Sequence, residues 1–185
     1  MKSLCVMLFV FLSSFIIQAM DSTEIGVSTS PLAIYSHGIT IGAFAPLNTE
    51  LKNESSGFFE LAFINDIYIN SCVHLFINAN WQAPGANFGA DAGANWMFSM
   101  SSFRPFVGLG IGARYFDKSG NTFGENFGPE GTMHAGFLLE VTEAVQFCVQ
   151  VPYYLTLNNA KDQELGVEVG FLFSKPYRHA KKLNY

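Results

Sequence analysis

The side chains able to do acid–base, nucleophilic or metal chemistry in this chain are few, and most of them share one parity. Glu60, His74, Asp91, Arg104, Arg114, His134, Glu140 and Glu168 each stand on the polar phase of a segment in which polar and apolar residues alternate. Metal chemistry would need ligands that converge, but His37, His74, His134 and His179 contain no i, i+2 or i, i+4 pair. Asp117, Asn121 and Glu125 bring oxygen ligands to one loop, at a spacing that does not match a calcium-binding loop, so solvated polarity is expected there. General-base chemistry fares no better. His134 and Glu140 share a face, yet their separation along a strand is about 20 Å at roughly 3.3 Å per residue, too far to act on one atom. No nucleophile, base and orienting acid come together, so no catalytic set, cofactor or metal site is expected, and the chain reads as a non-enzyme.

The elements that position these residues are strands. Alternation at period two puts successive side chains on opposite faces. The clearest run has Val145, Phe147, Val149, Val151, Tyr153 and Leu155 on one face and Gln146, Cys148, Gln150, Tyr154 and Thr156 on the other. Leu165, Val167, Val169, Phe171 and Phe173 oppose Gly166, Glu168, Gly170 and Leu172; Met133, Ala135, Phe137, Leu139 and Val141 oppose Thr132, His134, Gly136, Leu138 and Glu140. Val107, Leu109, Ile111, Ala113 and Tyr115 oppose a glycine-rich face ending in Arg114, and Phe88, Ala90, Ala92, Ala94, Trp96 and Phe98 oppose Asn87, Asp91 and Asn95. Weaker runs follow at Ile69 to Asn78, with Cys72 and His74 facing inward, at Phe59 to Phe63, with Glu60 inward, and at Tyr35 to Phe44, where His37 falls on the apolar phase. That position predicts either an interfacial strand start or a bulge.

Eight segments result, and the clearest of them have roughly the length of tilted membrane strands, about 9–11 residues. Their connections alternate: long at 45–56, short at Asn65–Asp66, long at 80–86, short near 101–102, long at 117–131, short at 142–144 and intermediate at 158–163. Tight turns at one end and longer loops at the other describe an all-β, closed up-and-down antiparallel transmembrane barrel. Closure is required because lipid offers no partner for a strand edge. A soluble sandwich is the alternative, since it too tolerates one apolar face per strand. Trp81, Phe88, Trp96, Phe98, Phe103, Tyr115 and Phe173 would sit in the interfacial girdles. In so narrow a barrel the eight inward polar residues named first form a structural network filling the lumen. Cys72 and Cys148, inward on opposite strands, are too far apart for a disulfide and are expected as buried thiols.

Composition agrees. Charged residues are 14% of the 185-residue chain, against roughly 25% in soluble proteins, and aromatic residues are 15%. Lys2 precedes an apolar stretch from Leu4 to Ile17, and Ala19 is followed by Asp21, which reads as a secretory signal helix cleaved after residue 19, with an uncleaved anchor as the alternative. The organisation expected is a signal at 1–19, an N-terminal segment at 20–32, the barrel at 33–173 and a basic periplasmic tail at 174–185 carrying Lys175, Arg178, Lys181 and Lys182. With Lys2 removed, 15 acids face nine bases, a balance that disfavours nucleic acid as a partner.

Two stretches carry a family resemblance. Glu164-Leu165-Gly166-Val167-Glu168-Val169-Gly170-Phe171 resembles the terminal assembly signal of outer-membrane barrels, and Arg104-Pro105-Phe106-Val107-Gly108-Leu109-Gly110-Ile111-Gly112 looks like a fifth strand of the small ones. From about residue 33 to 173 the chain is similar to the OmpA/OmpX-like eight-stranded superfamily, although it continues past the aromatic residue on which members usually end. The resemblance implies insertion into a Gram-negative bacterial outer membrane, with lipid and the barrel-assembly machinery as partners and an extracellular ligand at the loops. The expected function is a structural anchor or a surface-interaction protein. Lipid-modifying enzymes and narrow channels occur on the same fold and are the alternatives. The lipid A deacylases of this fold carry a serine two residues after the histidine, and here that position is Gly136.

Overall fold

The computed structural model describes residues 35–69, 72–99, 101–142 and 144–174. The expected signal, the 20–32 segment and the tail beyond Ser174 lie outside them. Eight strands close on themselves in chain order: β1 (Tyr35–Pro46), β2 (Phe58–Tyr68), β3 (Val73–Ala83), β4 (Asn87–Met97), β5 (Phe103–Tyr115), β6 (Phe127–Thr142), β7 (Val145–Thr156) and β8 (Gln163–Ser174). Every neighbour is antiparallel, and β1 closes the ring on β8 through pairs from Ser36–Ser174 to Pro46–Glu164. No edge is left to a solvent or lipid that could not satisfy it. The sandwich alternative is excluded by this closure.

Burial follows sequence parity around the ring. Ile39, Ile41, Leu109, Ile111, Met133 and Val167 are exposed on the outside, with Ile111 at 79%. Glu60, Arg114, Glu164 and Glu168 are buried inside. An apolar belt outside and a polar interior is the inverse of a soluble protein and suits a lipid surround. No helix among the described residues is long and apolar enough to cross a membrane. The two short helices, α1 (Thr49–Glu54) and α2 (Phe123–Asn126), lie in the connections after β1 and β5.

Several boundaries differ from those read in the sequence. Asn65–Asp66, expected as a turn, lies within β2: pairing to both neighbours, His37–Asn65 and Asp66–Phe76 among the pairs, overrides the local Asn-Asp turn preference, and β2 runs on to Tyr68. The expected 80–86 loop is a tight connection at 84–86, because β3 runs on to Ala83. β6 begins at Phe127, which shortens the third long loop to 116–126, and Ser174 belongs to β8 rather than to the tail. Cys72 is exposed in the turn ahead of β3 and does not face the lumen, whereas Cys148 does and is buried. His37 is interfacial: β1 pairs without a bulge, and the half-buried imidazole packs between Tyr35 and Phe173 at ring distances of 5.8 and 6.4 Å.

The glycines facing inward on β5 make room for two rings. A Cβ at Gly110 would stand 2.8 Å from the Phe76 ring and one at Gly108 would stand 2.1 Å from His134 Nε2, so only glycine admits these side chains to the lumen.

Candidate functional site

The lumen is filled in layers between its two ends, which are called here the loop end (after β1, β3, β5 and β7) and the turn end. Toward the loop end sits a hub around Arg114, which is wholly buried. Its Nε donates to Glu130, its terminal nitrogen lies 3.5 Å from both Glu60 and Glu164, and its guanidinium stacks over the Tyr154 ring at 4.0 Å. Gln82 donates to Glu60 and Glu164 at 3.0 Å each. Glu168 accepts from Thr40 at 2.8 Å, Gln150 at 2.9 Å and Tyr154 at 3.4 Å, and Thr156 donates to Glu130 at 3.4 Å. Asp91 is buried nearby, with neither carboxylate oxygen in a hydrogen bond of good geometry. Each shared donor lowers the cost of holding carboxylate in a narrow, water-poor space.

Below the hub, His134 bonds Asn95 at 2.6 Å and packs on Phe76 and Phe106. An apolar plug of Ile64, Met97, Phe106, Leu138, Cys148 and Leu172 follows. The cavity at this level holds about 10 Å³, space for roughly one water. At the turn end His74 packs on the Tyr68 ring at 3.9 Å, and Arg104 pairs with Glu140 at 3.0 Å in a part-buried contact near the rim.

The residues singled out in the sequence are thus divided. Glu60, Arg114 and Glu168 meet in one network with Asp91 beside it, His134 and His74 occupy separate aromatic pockets, and Arg104–Glu140 forms its own pair. His134 and Glu140 are partnered elsewhere, and Gly136 offers no hydroxyl to either. Sequence reasoning missed Glu130, Glu164 and Gln82, which complete the hub, and placed Tyr154 on the inward face without assigning it to the network. Parity could have found them. Glu130 is in phase with Thr132 and His134, and Glu164 with Glu168, but both lay where loops or boundaries were expected.

The loop-end mouth has its own order. Lys118, buried under the rim, pairs with Asp162 at 2.5 Å; Asp162 also accepts from Asn158 at 2.6 Å and Asn48 at 3.0 Å, which ties three connections together. Beside this knot is a pocket of about 230 Å³ between α1, the 84–86 turn and the start of the loop to α2. α2 is held by a capping box in which Thr122 and Glu125 bond reciprocally, and the backbone and hydroxyl of Thr122 hold the Glu125 carboxyl below the usual glutamate range. Outside the barrel an aromatic ladder climbs from the apolar belt to this loop: Phe88–Tyr115 and Tyr115–Phe123 stack at 5.1 Å, and Phe123–Phe127 at 5.5 Å.

No family model matches the chain, and no curated protein matches it in sequence. Solved structures do match. Neisserial surface protein A, NspA, superposes with a TM-score of 0.63 at 14% identity, covering 76% of this chain and 97% of that one. The fold is that of the eight-stranded outer-membrane β-barrels. The outer membrane protein OprG of Pseudomonas aeruginosa matches at 0.57 and 11% identity over 80% of this chain and 98% of its own. The N-terminal barrel domain of OprF from the same organism matches at 0.50 and 16% identity over 74% of this chain and 97% of its own. The likeness is one of fold, and it agrees with the eight-stranded barrel expected from the β5 and β8 motifs.

Proposed function

We propose that the chain is an integral outer-membrane protein, exported through a cleaved N-terminal signal, whose barrel is an anchor and whose loop end faces outward as the interacting surface. The filled lumen carries this reading. A core with the Arg114 hub above and the apolar plug below leaves nothing for a solute to pass through, which argues against the narrow channel. The charged groups of the hub, Arg114 with Glu60, Glu130 and Glu164, are paired inside the ring rather than aimed at an open cleft, which argues against a lipid-modifying enzyme. What remains accessible is the belt, suited to lipid, and the knotted loop-end mouth, suited to a partner in solution.

Topology tests it. A small epitope inserted after Ser119 should be labelled by antibody on intact cells, and one placed after Tyr185 only after the outer membrane is permeabilised. The reverse pattern would turn the loop end to the periplasm and remove the surface role. Deleting 120–125 should abolish any surface phenotype while the barrel still assembles.

A further inference from the structure

The hub holds more negative charge than its partners answer. Glu60, Glu130, Glu164, Glu168 and Asp91 are buried around a single arginine, Arg114. Each of the four glutamates accepts a hydrogen bond from a neighbouring side chain. Asp91 accepts none: it is 3% exposed, and both of its oxygens are unbonded. A carboxylate buried in that condition is costly, and folded proteins offset the cost with a partner, a proton or a metal ion. The neighbours of Asp91 are oxygens in the same condition. Asn78 stands opposite it on β3, and its Oδ1 is buried and unbonded. On the other side β5 presents Gly112, where a Cβ would lie 2.6 Å from Asp91 Cβ, so the aspartate occupies the room that glycine leaves. Beyond it on β6, Glu130 pairs with Gly112, and Thr132, the next inward residue, brings its hydroxyl to the Asp91 carboxylate without the geometry of a hydrogen bond. Turning that hydroxyl to Asp91 would serve one oxygen and leave the other, with Asn78 Oδ1, unanswered. Asn78, Asp91, Glu130 and Thr132 are all more than nine-tenths buried, and they offer oxygen ligands only. His134 does not join them, being bonded to Asn95. Carboxylate, amide and hydroxyl oxygens suit a hard cation. Magnesium keeps several of its waters, whereas calcium takes about 6–8 oxygens in flexible geometry. The cavity that Asn78 also lines is about 10 Å³, room for a bare ion and not for a hydrated one.

We propose that the lumen binds one calcium ion, ligated by both oxygens of Asp91 together with Asn78 Oδ1, Thr132 Oγ1 and a Glu130 oxygen, and taken up as the barrel closes. Arg114 and the ion then divide the hub's carboxylates between them, and the divalent charge offsets part of a surplus that one guanidinium leaves. The ligands come from β3, β4 and β6, one carboxylate beside neutral oxygens, which is why no cluster of acids or histidines marks the site in the sequence. This role is structural and goes beyond the surface role proposed above. It holds for either orientation of the barrel, so each reading fails without the other.

The test refolds the full chain into detergent micelles in calcium chloride, in magnesium chloride or in a chelator, and desalts each sample. Retained metal is measured by elemental analysis, and heat resistance by the temperature at which the unboiled form disappears on a gel. The native chain refolded in calcium should retain about one ion and convert at a higher temperature than the chelated chain, because a ligand that binds only the folded form stabilises it. Magnesium should do neither. Asp91→Asn should weaken calcium binding about tenfold or more, a loss usual even for groups that only orient a ligand, and should convert at the same temperature with calcium or chelator. In chelator D91N should be at least as heat-resistant as the native chain, since it carries no unanswered carboxylate, an order that a purely structural aspartate would not give. Thr132→Val, which removes one neutral ligand, should weaken calcium binding less than D91N and provides the comparison if D91N fails to assemble. No retained calcium, equal retention of magnesium, or undiminished calcium binding in these variants would overturn the proposal. So would a native conversion temperature that ignores calcium and follows pH, which would assign Asp91 a proton instead.

Discussion

Replacing Arg114 with methionine removes the only buried base of the hub while nearly keeping its volume. In the native chain Arg114 contacts Glu130 directly, sits 3.5 Å from Glu60 and Glu164, and stacks on Tyr154 at 4.0 Å. Breaking a buried pair by deleting one partner costs about 3–5 kcal/mol, because the remaining charge is left uncompensated. Here three carboxylates lose the same cation, and a desolvated cation–π contact of about 2 kcal/mol is lost as well, which places Arg114→Met at the upper end, near 5 kcal/mol. The carboxylates dominate this sum, so removing one of them should help: R114M/E130Q should recover about 1–3 kcal/mol over R114M, the penalty of one unsatisfied buried polar group. Equilibrium urea unfolding in lipid vesicles, followed by tryptophan fluorescence, gives all three stabilities. A loss below about 1 kcal/mol for R114M, or a double variant no more stable than R114M, would refute the claim that Arg114 organises the lumen.

Other outcomes follow from the same geometry. Val149→Arg, on the apolar outer face of β7, should cost about 2–4 kcal/mol, while Gln150→Arg, one residue on and 2.9 Å from Glu168, should cost less because it enters a carboxylate-rich lumen; reversed costs in the same urea assay would mean the strand faces are exchanged. Glu125 should titrate below an ordinary glutamate by NMR, and Thr122→Ala should return it toward that range. Because this carboxyl is lowered in the folded loop, its contribution to loop order is present above the unfolded glutamate value and fades as pH falls through the folded one, so amide protection in 122–126 should fall on acidification in the native chain and be flat in T122A. Phe123→Asp, which breaks the aromatic ladder at its exposed top, should raise protease cleavage in 116–126 without unfolding the barrel; unchanged cleavage would show that the ladder does not hold the loop.

Much of the barrel was legible because period two is a strong signal when every strand is apolar outside and polar inside. Val145 to Leu155 reads correctly residue by residue, and so does the β5 run with its inward glycines. The turns were less so. Asn65–Asp66 has the local chemistry of a reversal, but two neighbouring strands hold it extended, a tertiary decision that sequence spacing does not display. The same error at Ala83 and Phe127 hid the lower parts of loops inside strands and so hid Glu130 from the lumen. The hub itself was half visible: parity placed Glu60, Arg114 and Glu168 inside, but which of them meet depends on the stagger of strands around the closed ring. Thus Arg104 and Glu140, inward by parity, end at the turn-end rim as a pair, and His134 bonds Asn95 and packs on Phe76 and Phe106.

The central claim, a closed barrel built to sit in lipid, is tested most directly by electrophoretic mobility of the detergent-extracted chain before and after boiling. A ring with no free edge resists dodecyl sulfate until heated, so the unboiled protein should migrate at a different apparent mass from the boiled one, and R114M should lower the temperature at which the two forms interconvert. Identical mobility before and after boiling, with the protein recovered in the soluble fraction, would contradict it.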